Sequence, residues 1–151
     1  TKFLFAGQGA EQNDNKIMCE DGTSLEGDNL EYIGTVNAKQ RGRLMSHAQA
    51  LICPTLYIGP FEGVHIESLM CGTPILTTPF GVFSESYKHG WHGFKCRTIK
   101  EFVEGAEKVK DLNRNLIRIF AQNTYSTDVI AKQYIDYFNL LDGLSRGGFY
   151  E

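Results

Sequence analysis

Compact apolar runs alternate along this chain with stretches of helical period. "KFLFAGQG" reads as a short buried strand ended by glycines, and the theme returns from Leu30 to Val36 in "NLEYIGTV". Between them, Glu11 to Asp28 is polar and rich in Asn, Asp and Gly; it predicts mostly loop, with room for one helical turn around Lys16 to Cys19. From Asn37, a capping residue, the period becomes 3.6 through Leu44, Met45 and Ala48, and "ALICPT" then forms another apolar strand. Val64, Leu69 and Met70 mark a helix, "TPILTT" a strand, and "GFKCR" a brief strand after the Gly90 and Gly93 turns.

The remainder predicts helices: Ile99 to Val109 behind a Thr98 cap, Asn113 to Asn123, and Thr127 to about Leu141. Ile130, Tyr134, Tyr137 and Phe138 share one face of the last of these and read as packing residues. Strand and helix in alternation imply an α/β fold: a doubly wound, mostly parallel Rossmann-like sheet with helices on both faces, ending in C-terminal helices. "GLSRGGFYE", residues 143–151, reads as a flexible tail.

Composition narrows the function classes. A chain of 151 residues, 42% hydrophobic and 22% charged, suits one globular domain, and a net charge of −3 offers no general attraction for nucleic acid or anionic membrane. Cys19, Cys53, Cys71 and Cys96 form no C-x-x-C pair, and Cys53 and Cys71 lie in apolar runs, as buried thiols do. A reducing cytoplasm is the expected location. No apolar run is long enough to span a bilayer. Because Thr1-Lys2 leads straight into the first apolar run, the chain reads as a piece of a longer polypeptide.

In open parallel sheets ligands sit beyond the carboxyl ends of the strands, which directs attention to Gly7-Gln8-Gly9, Gly34-Thr35-Val36, Pro54 to Gly63, and Thr77 to Glu85. "GQGAEQ" is not a dinucleotide fingerprint, because Gln12 replaces its third glycine; no G-x-S-x-G nucleophile elbow accompanies it either. There is no Asp-x-Asp pair, and His89-x-x-His92 lacks an obvious third ligand, so neither a metal nor another cofactor is expected. His47, His89 and His92 read as solvated side chains. Glu67 stands out: one turn into a helix that starts near Glu62, its carboxylate is placed to accept two hydrogen bonds from a vicinal diol such as a ribose. The "PFEGV" turn before it presents backbone N–H groups to an anion at the positive end of the helix dipole.

"FAGQG", "LEYIGTV", "LMSHAQALICPT", "GPFEGVHIESLMCGTPIL" and "GVFSE", in this order and spacing, resemble the C-terminal nucleotide-sugar-binding domain of retaining GT-B glycosyltransferases, over roughly Phe3 to Phe138. The resemblance implies a donor-binding domain over residues 1–142 that lacks the family's N-terminal acceptor domain and first strand. It implies a nucleoside diphosphate sugar donor of UDP or GDP type, a hexosyl transfer without metal, and an acceptor glycan held by the missing domain. By resemblance, Glu67 holds the ribose hydroxyls, Gly34, Thr35 and Val36 the base, and Phe61, Glu62, Gly63 and Val64 the distal phosphate and sugar. Gly7 and Gly9, in the first glycine loop, are also expected to bind the donor, and Gly81 and Glu85 resemble a G-x-x-x-E element around the site.

One departure is clear. The family's first glutamate falls on Gly59, and the glycine that follows Phe in its E-P-F-G turn falls on Glu62, as though the two residue types had changed places. No catalytic residue is therefore assigned, and Glu62 stands as a possible substitute. The family's basic pair for the diphosphate is absent too, since Arg41, Arg43 and Lys88 do not match its position, and this chain alone is not expected to catalyse transfer. The alternative reading is a catalytically inactive nucleotide-sugar-binding or interaction module that kept the fold.

Overall fold

The computed structural model describes residues 1–146. They fall in two compact units, Thr1–Arg43 and Leu44–Glu151.

In the first unit β1 (Phe3–Phe5) pairs in parallel with β5 (Leu30–Tyr32), with Phe3 opposite Leu30 and Phe5 opposite Tyr32. The polar stretch between them is not loop. It forms an antiparallel meander of β2 (Ala10–Asn13), β3 (Lys16–Cys19) and β4 (Ser24–Glu26). Its turns account for the difference. Asp14 takes a positive φ of 52°, which Asp tolerates better than most residues, and at the second turn the Asp21 carboxylate accepts the Thr23 amide (2.9 Å) and hydroxyl (2.7 Å). Ile17 alone among the meander's strand residues is fully buried, so almost no apolar alternation announces these strands. Gln12 ties the meander to β5: its Nε2 donates to the Leu30 carbonyl (3.1 Å) and its Oε1 accepts the Tyr32 amide (2.6 Å).

β1 is a strand as expected but not a buried one, since Phe3 and Leu4 are exposed. Helix α1 (Ala38–His47) begins at a reciprocal cap, in which Asn37 Oδ1 accepts the Gln40 amide and Gln40 Oε1 accepts the Asn37 amide, each at 2.9 Å.

In the second unit β6 (Leu51–Cys53), β7 (Ile75–Thr77) and β8 (Gly93–Lys95) form a parallel sheet in that order. Gly93 is required where it meets β7, because a Cβ there would stand 2.0 Å from the Ile75 carbonyl oxygen. Successive side chains of β7 point to opposite faces. Ile75 joins Leu69 of α2 (Gly63–Met70) and Ile117 and Ala121 of α4 (Arg114–Tyr125), while Leu76 joins Cys96 and Val109 beside Phe102 and Ala106 of α3 (Ile99–Lys108). Helices therefore cover both faces of this sheet. Thr98 caps α3 through the Glu101 amide (3.2 Å), and Asn113 caps α4 through the amides of Asn115 and Leu116.

Helix α5 (Thr127–Arg146) runs past the expected end near Leu141, so 143–146 are helical, and the rest of the expected tail, 147–151, lies outside the described residues. Its aromatic face does not pack as expected. From Ala131 to Leu144 every residue is exposed, Tyr134, Tyr137 and Phe138 among them, because α5 rests on α4 and between Thr127 and Leu144 only Val129 and Ile130 are half-buried.

Candidate functional site

Helix α2 leaves β6 through an exposed loop, and its inward face is set by helical spacing: His65, Ser68 and Leu69 are buried. Ser68 donates to the Thr73 carbonyl (3.1 Å), which closes the helix into β7. Glu62 is its N-cap residue, with extended backbone (φ −122°, ψ 98°) and no side-chain capping bond. The amides of Gly63 and Val64, in the first turn, have no carbonyl of the helix itself to donate to. One turn on, half-buried Glu67 borders an open groove of about 780 Å³ together with Phe61, Gly63, Ile66, Tyr125 and Tyr134. Glu67, Phe61 and Gly63 thus share one cavity, whereas Val64 turns toward the core.

The Glu62 side chain bends back toward residue 59. A Cβ built on Gly59 would stand 3.1 Å from Glu62 Oε1 and 3.2 Å from Tyr57 Cε2. Glu62 Oε2 accepts the Thr55 hydroxyl at 3.3 Å, but Oε1 is buried without a hydrogen-bond partner. Gly59 is pinned from the far side: the Val82 amide donates to its carbonyl (3.1 Å), and Gly81, at φ +54°, lies so close that a Cβ would meet the Gly59 oxygen at 2.4 Å. Glycine at 81 is therefore a packing requirement of the Gly59 turn. Glu85, four residues on, is exposed.

The sequence reading missed His65. It is wholly buried between Phe61 (ring centroids 5.8 Å apart) and Phe83 (5.2 Å), its Nδ1 is bonded to the Glu62 carbonyl, and its Nε2 is buried without a partner. Burial holds its pKa below the usual histidine value, against the opposing pull of the Glu62 carbonyl and carboxylate. Its place three residues before Ser68 and four before Leu69 was the signal available. Burial also raises the Cys53 thiol to about 12, with the Glu62 carboxylate adding to the shift, so this cysteine is an inert core residue.

In the first unit, Gly7 and Gly34 come together at the carboxyl ends of β1 and β5. The Gly7 amide donates to the Gly34 carbonyl (3.0 Å), and the Tyr32 hydroxyl to the Gly7 carbonyl (2.8 Å). Gly34 needs its freedom at φ +68°; Thr35 beside it is exposed and Val36 half-buried. Gly9 instead belongs to the meander, where its carbonyl accepts the Glu20 amide at 2.8 Å.

One loop residue differs from expectation. His92 is not solvated but stacked on Phe120, with ring centroids 3.8 Å apart, because the Gly90 turn folds it onto α4. Trp91 is exposed beneath the Lys88 ammonium, 4.6 Å above its ring. Among the described residues no three His, Cys, Asp or Glu side chains gather as a metal site, and no helix is long and apolar enough to cross a membrane.

The sequence profile of the family described as "Glycosyl transferases group 1" matches residues 1–114. The chain belongs to that family. Among curated relatives, this group 1 chain is 26% identical over 89 residues to spore coat protein SA of Bacillus subtilis (strain 168), covering 59% of the chain and 24% of the relative. Among solved structures it is similar to AviGT4, a glycosyltransferase involved in avilamycin A biosynthesis, at 25% identity and a TM-score of 0.63, over 78% of this chain and 38% of that one. Its fold also matches Anabaena Alr3699/HepE, solved in complex with UDP-glucose, at 16% identity and a TM-score of 0.58, over 76% of this chain and 33% of that one. A second structure of that protein, with UDP and glucose, gives 17% and 0.57, over 74% and 32%. The chain thus spans about a quarter of the curated relative and about a third of each structural one.

Proposed function

We propose that this chain is the donor-binding part of a retaining, metal-independent glycosyltransferase that moves a hexosyl group from a nucleoside diphosphate sugar, of UDP or GDP type, to a sugar or glycan acceptor in the cytoplasm. The observation that carries the reading is Glu67 in one groove with Gly63 at the start of α2. A carboxylate suited to a vicinal diol stands one turn from amides suited to a phosphate. Membership of the family and the UDP-glucose complex of HepE support the donor class.

As the glycosidic bond breaks, negative charge grows on the leaving diphosphate, and groups aimed at that charge lower the barrier. Here the N-terminus of α2 supplies its dipole. The basic side chains and the acceptor site come from parts of the protein outside this chain, so transfer requires them. Gly59, which has no side chain where the family has a glutamate, favours a second reading, a donor-binding module without catalysis.

Calorimetry with UDP, GDP, ADP and UDP-glucose tests the donor reading. Binding of one nucleotide, weakened about tenfold or more by Glu67→Gln through loss of charged hydrogen bonds, is the expected result. Binding of none of them, or binding indifferent to Glu67, overturns it. Hydrolysis or transfer of UDP-glucose by the natural polypeptide then separates enzyme from module.

A further inference from the structure

Helix α2 is held at its start differently from α1, α3 and α4. Those three begin at side-chain caps, Asn37, Thr98 and Asn113, and the carbonyl of each cap residue accepts the amide four residues on: Arg41 (2.8 Å), Phe102 (3.1 Å) and Ile117 (3.1 Å). Glu62, the N-cap of α2, makes no capping bond with its side chain, and its carbonyl accepts the amide three residues on, that of His65, at 3.2 Å. The same carbonyl is bonded to His65 Nδ1. A carbonyl oxygen only accepts, so Nδ1 carries the ring proton. Burial lowers the pKa of the ring against the pull of the Glu62 carbonyl and carboxylate, so at neutral pH Nε2 is bare, and it is buried with no partner. Packing alone does not explain this residue. An apolar side chain between Phe61 and Phe83 would fill the same space and leave no polar atom unmet.

A side-chain cap accepts from the amide of the second or third helical residue, here Val64 or His65. It would therefore compete for a first-turn donor that the donor-binding reading gives to a phosphate. We propose that His65 is a positioning residue for donor binding: from inside α2 its Nδ1–H holds the Glu62 carbonyl, which fixes the first turn from the acceptor side and leaves the Gly63 and Val64 amides to the diphosphate. This rests on the donor-binding reading above. The same ring also backs the groove that holds Glu67. Phe61 and Gly63 line that groove, and His65 lies behind Phe61, with ring centroids 5.8 Å apart, while Phe83 closes its other side at 5.2 Å. One side chain thus fixes both the peptide that opens the helix and an aromatic wall of the cavity. His65 is itself wholly buried, so it meets no ligand and acts only through Phe61 and the backbone of residue 62.

Affinity set against stability separates this role from plain packing, which would move the two together. Calorimetry with UDP, GDP and ADP and denaturant unfolding are compared on the natural polypeptide. His65→Leu fills the space of the ring without its donor. It weakens the nucleotide that binds by about tenfold or more, while the unfolding midpoint stays level or rises because no bare nitrogen is left in the core. His65→Asn puts an amide nitrogen where Nδ1 stood but empties part of the space between Phe61 and Phe83. It unfolds more readily than His65→Leu and yet binds the nucleotide more tightly. Unchanged affinity in His65→Leu, or affinities that follow the unfolding midpoints across the two variants, overturn the proposal. Nitrogen NMR of the imidazole in the unaltered protein is a check that needs neither variant to fold: Nδ1 should be the protonated nitrogen, and the opposite tautomer overturns the proposal. If Glu67→Gln weakens binding and His65→Leu does not, donor binding stands and the role of His65 falls. If the unaltered protein binds none of the three nucleotides, both fall.

Discussion

The Glu62 carboxylate and the missing side chain of Gly59 contend for one space, with Oε1 3.1 Å from the Cβ that residue 59 lacks. The two positions are therefore energetically coupled, and their substitutions should not add. Gly59→Glu alone brings two carboxylates together, a repulsion of roughly 1 kcal/mol at 4 Å in water and about 4 kcal/mol at an effective dielectric of 20. Denaturant unfolding should show a loss within that range. The pair Gly59→Glu with Glu62→Gly should recover most of it, since glycine at an N-cap costs only a few tenths of a kcal/mol (~0.3) relative to a capping residue. An additive double-mutant cycle would show that the two positions are independent.

Gly81 supports this arrangement from beneath, so its replacement should propagate to Gly59. Gly81→Ala places a Cβ in a left-handed backbone conformation and within 2.4 Å of the Gly59 oxygen. A cost of about 2 kcal/mol or more in unfolding free energy follows, from strain and from displacement of the Val82–Gly59 hydrogen bond. Gly63→Ala is the control: a Cβ there meets nothing within 4 Å, and its stability should stay level or rise by up to about 1 kcal/mol from helix propensity. Equal destabilisation by both changes would refute the account of Gly81.

The parallel strands and capped helices were legible because their signals are local: apolar runs at β6 and β7, Thr98 and Asn113 ahead of amphipathic periods. The meander was not, because β2, β3 and β4 bury one residue fully and depend on turns and on Gln12 for their register. The exposure of Tyr134 and Tyr137 was equally hidden, since an amphipathic pattern gives a helix an apolar face without saying what covers it. At the site, Glu67 could be named from its spacing. The direction of Glu62 could not, because it depends on the contact between residues 59 and 62 and on their support by Gly81.

Arg114 holds the end of α1 to the start of β7. Its guanidinium donates to the carbonyls of Ala48 (2.7 Å) and Ser46 (2.9 Å) and to Thr73 Oγ1 (2.7 Å), whose own hydroxyl donates to the Met45 carbonyl. Arg114→Met should cost roughly 2–3 kcal/mol, the scale of charged hydrogen bonds lost to partly buried acceptors. Arg114→Lys should recover little of this, because a single ammonium cannot reproduce the fork. Thermal unfolding of the two variants checks it, and a lysine variant as stable as the arginine form would argue against the geometry.

His65 makes stability depend on pH with a defined sign. Its folded pKa lies below the ordinary 6.5 because burial penalises the cation, so the unfolded chain binds the proton more readily. The stability this contributes is fully present above pH 6.5 and is lost as pH falls through 6.5 toward the folded pKa. One such group gives a slope no steeper than about 1.4 kcal/mol per pH unit. His92, lowered by burial and by Lys88, acts in the same direction, so the unaltered protein alone does not isolate His65. His65→Gln does. It should lower stability at pH 7.5 by emptying part of the space between Phe61 and Phe83, and the gap between variant and parent should narrow as the pH is taken to 5. A gap that is constant or widens on acidification would mean that His65 is not held neutral by the fold.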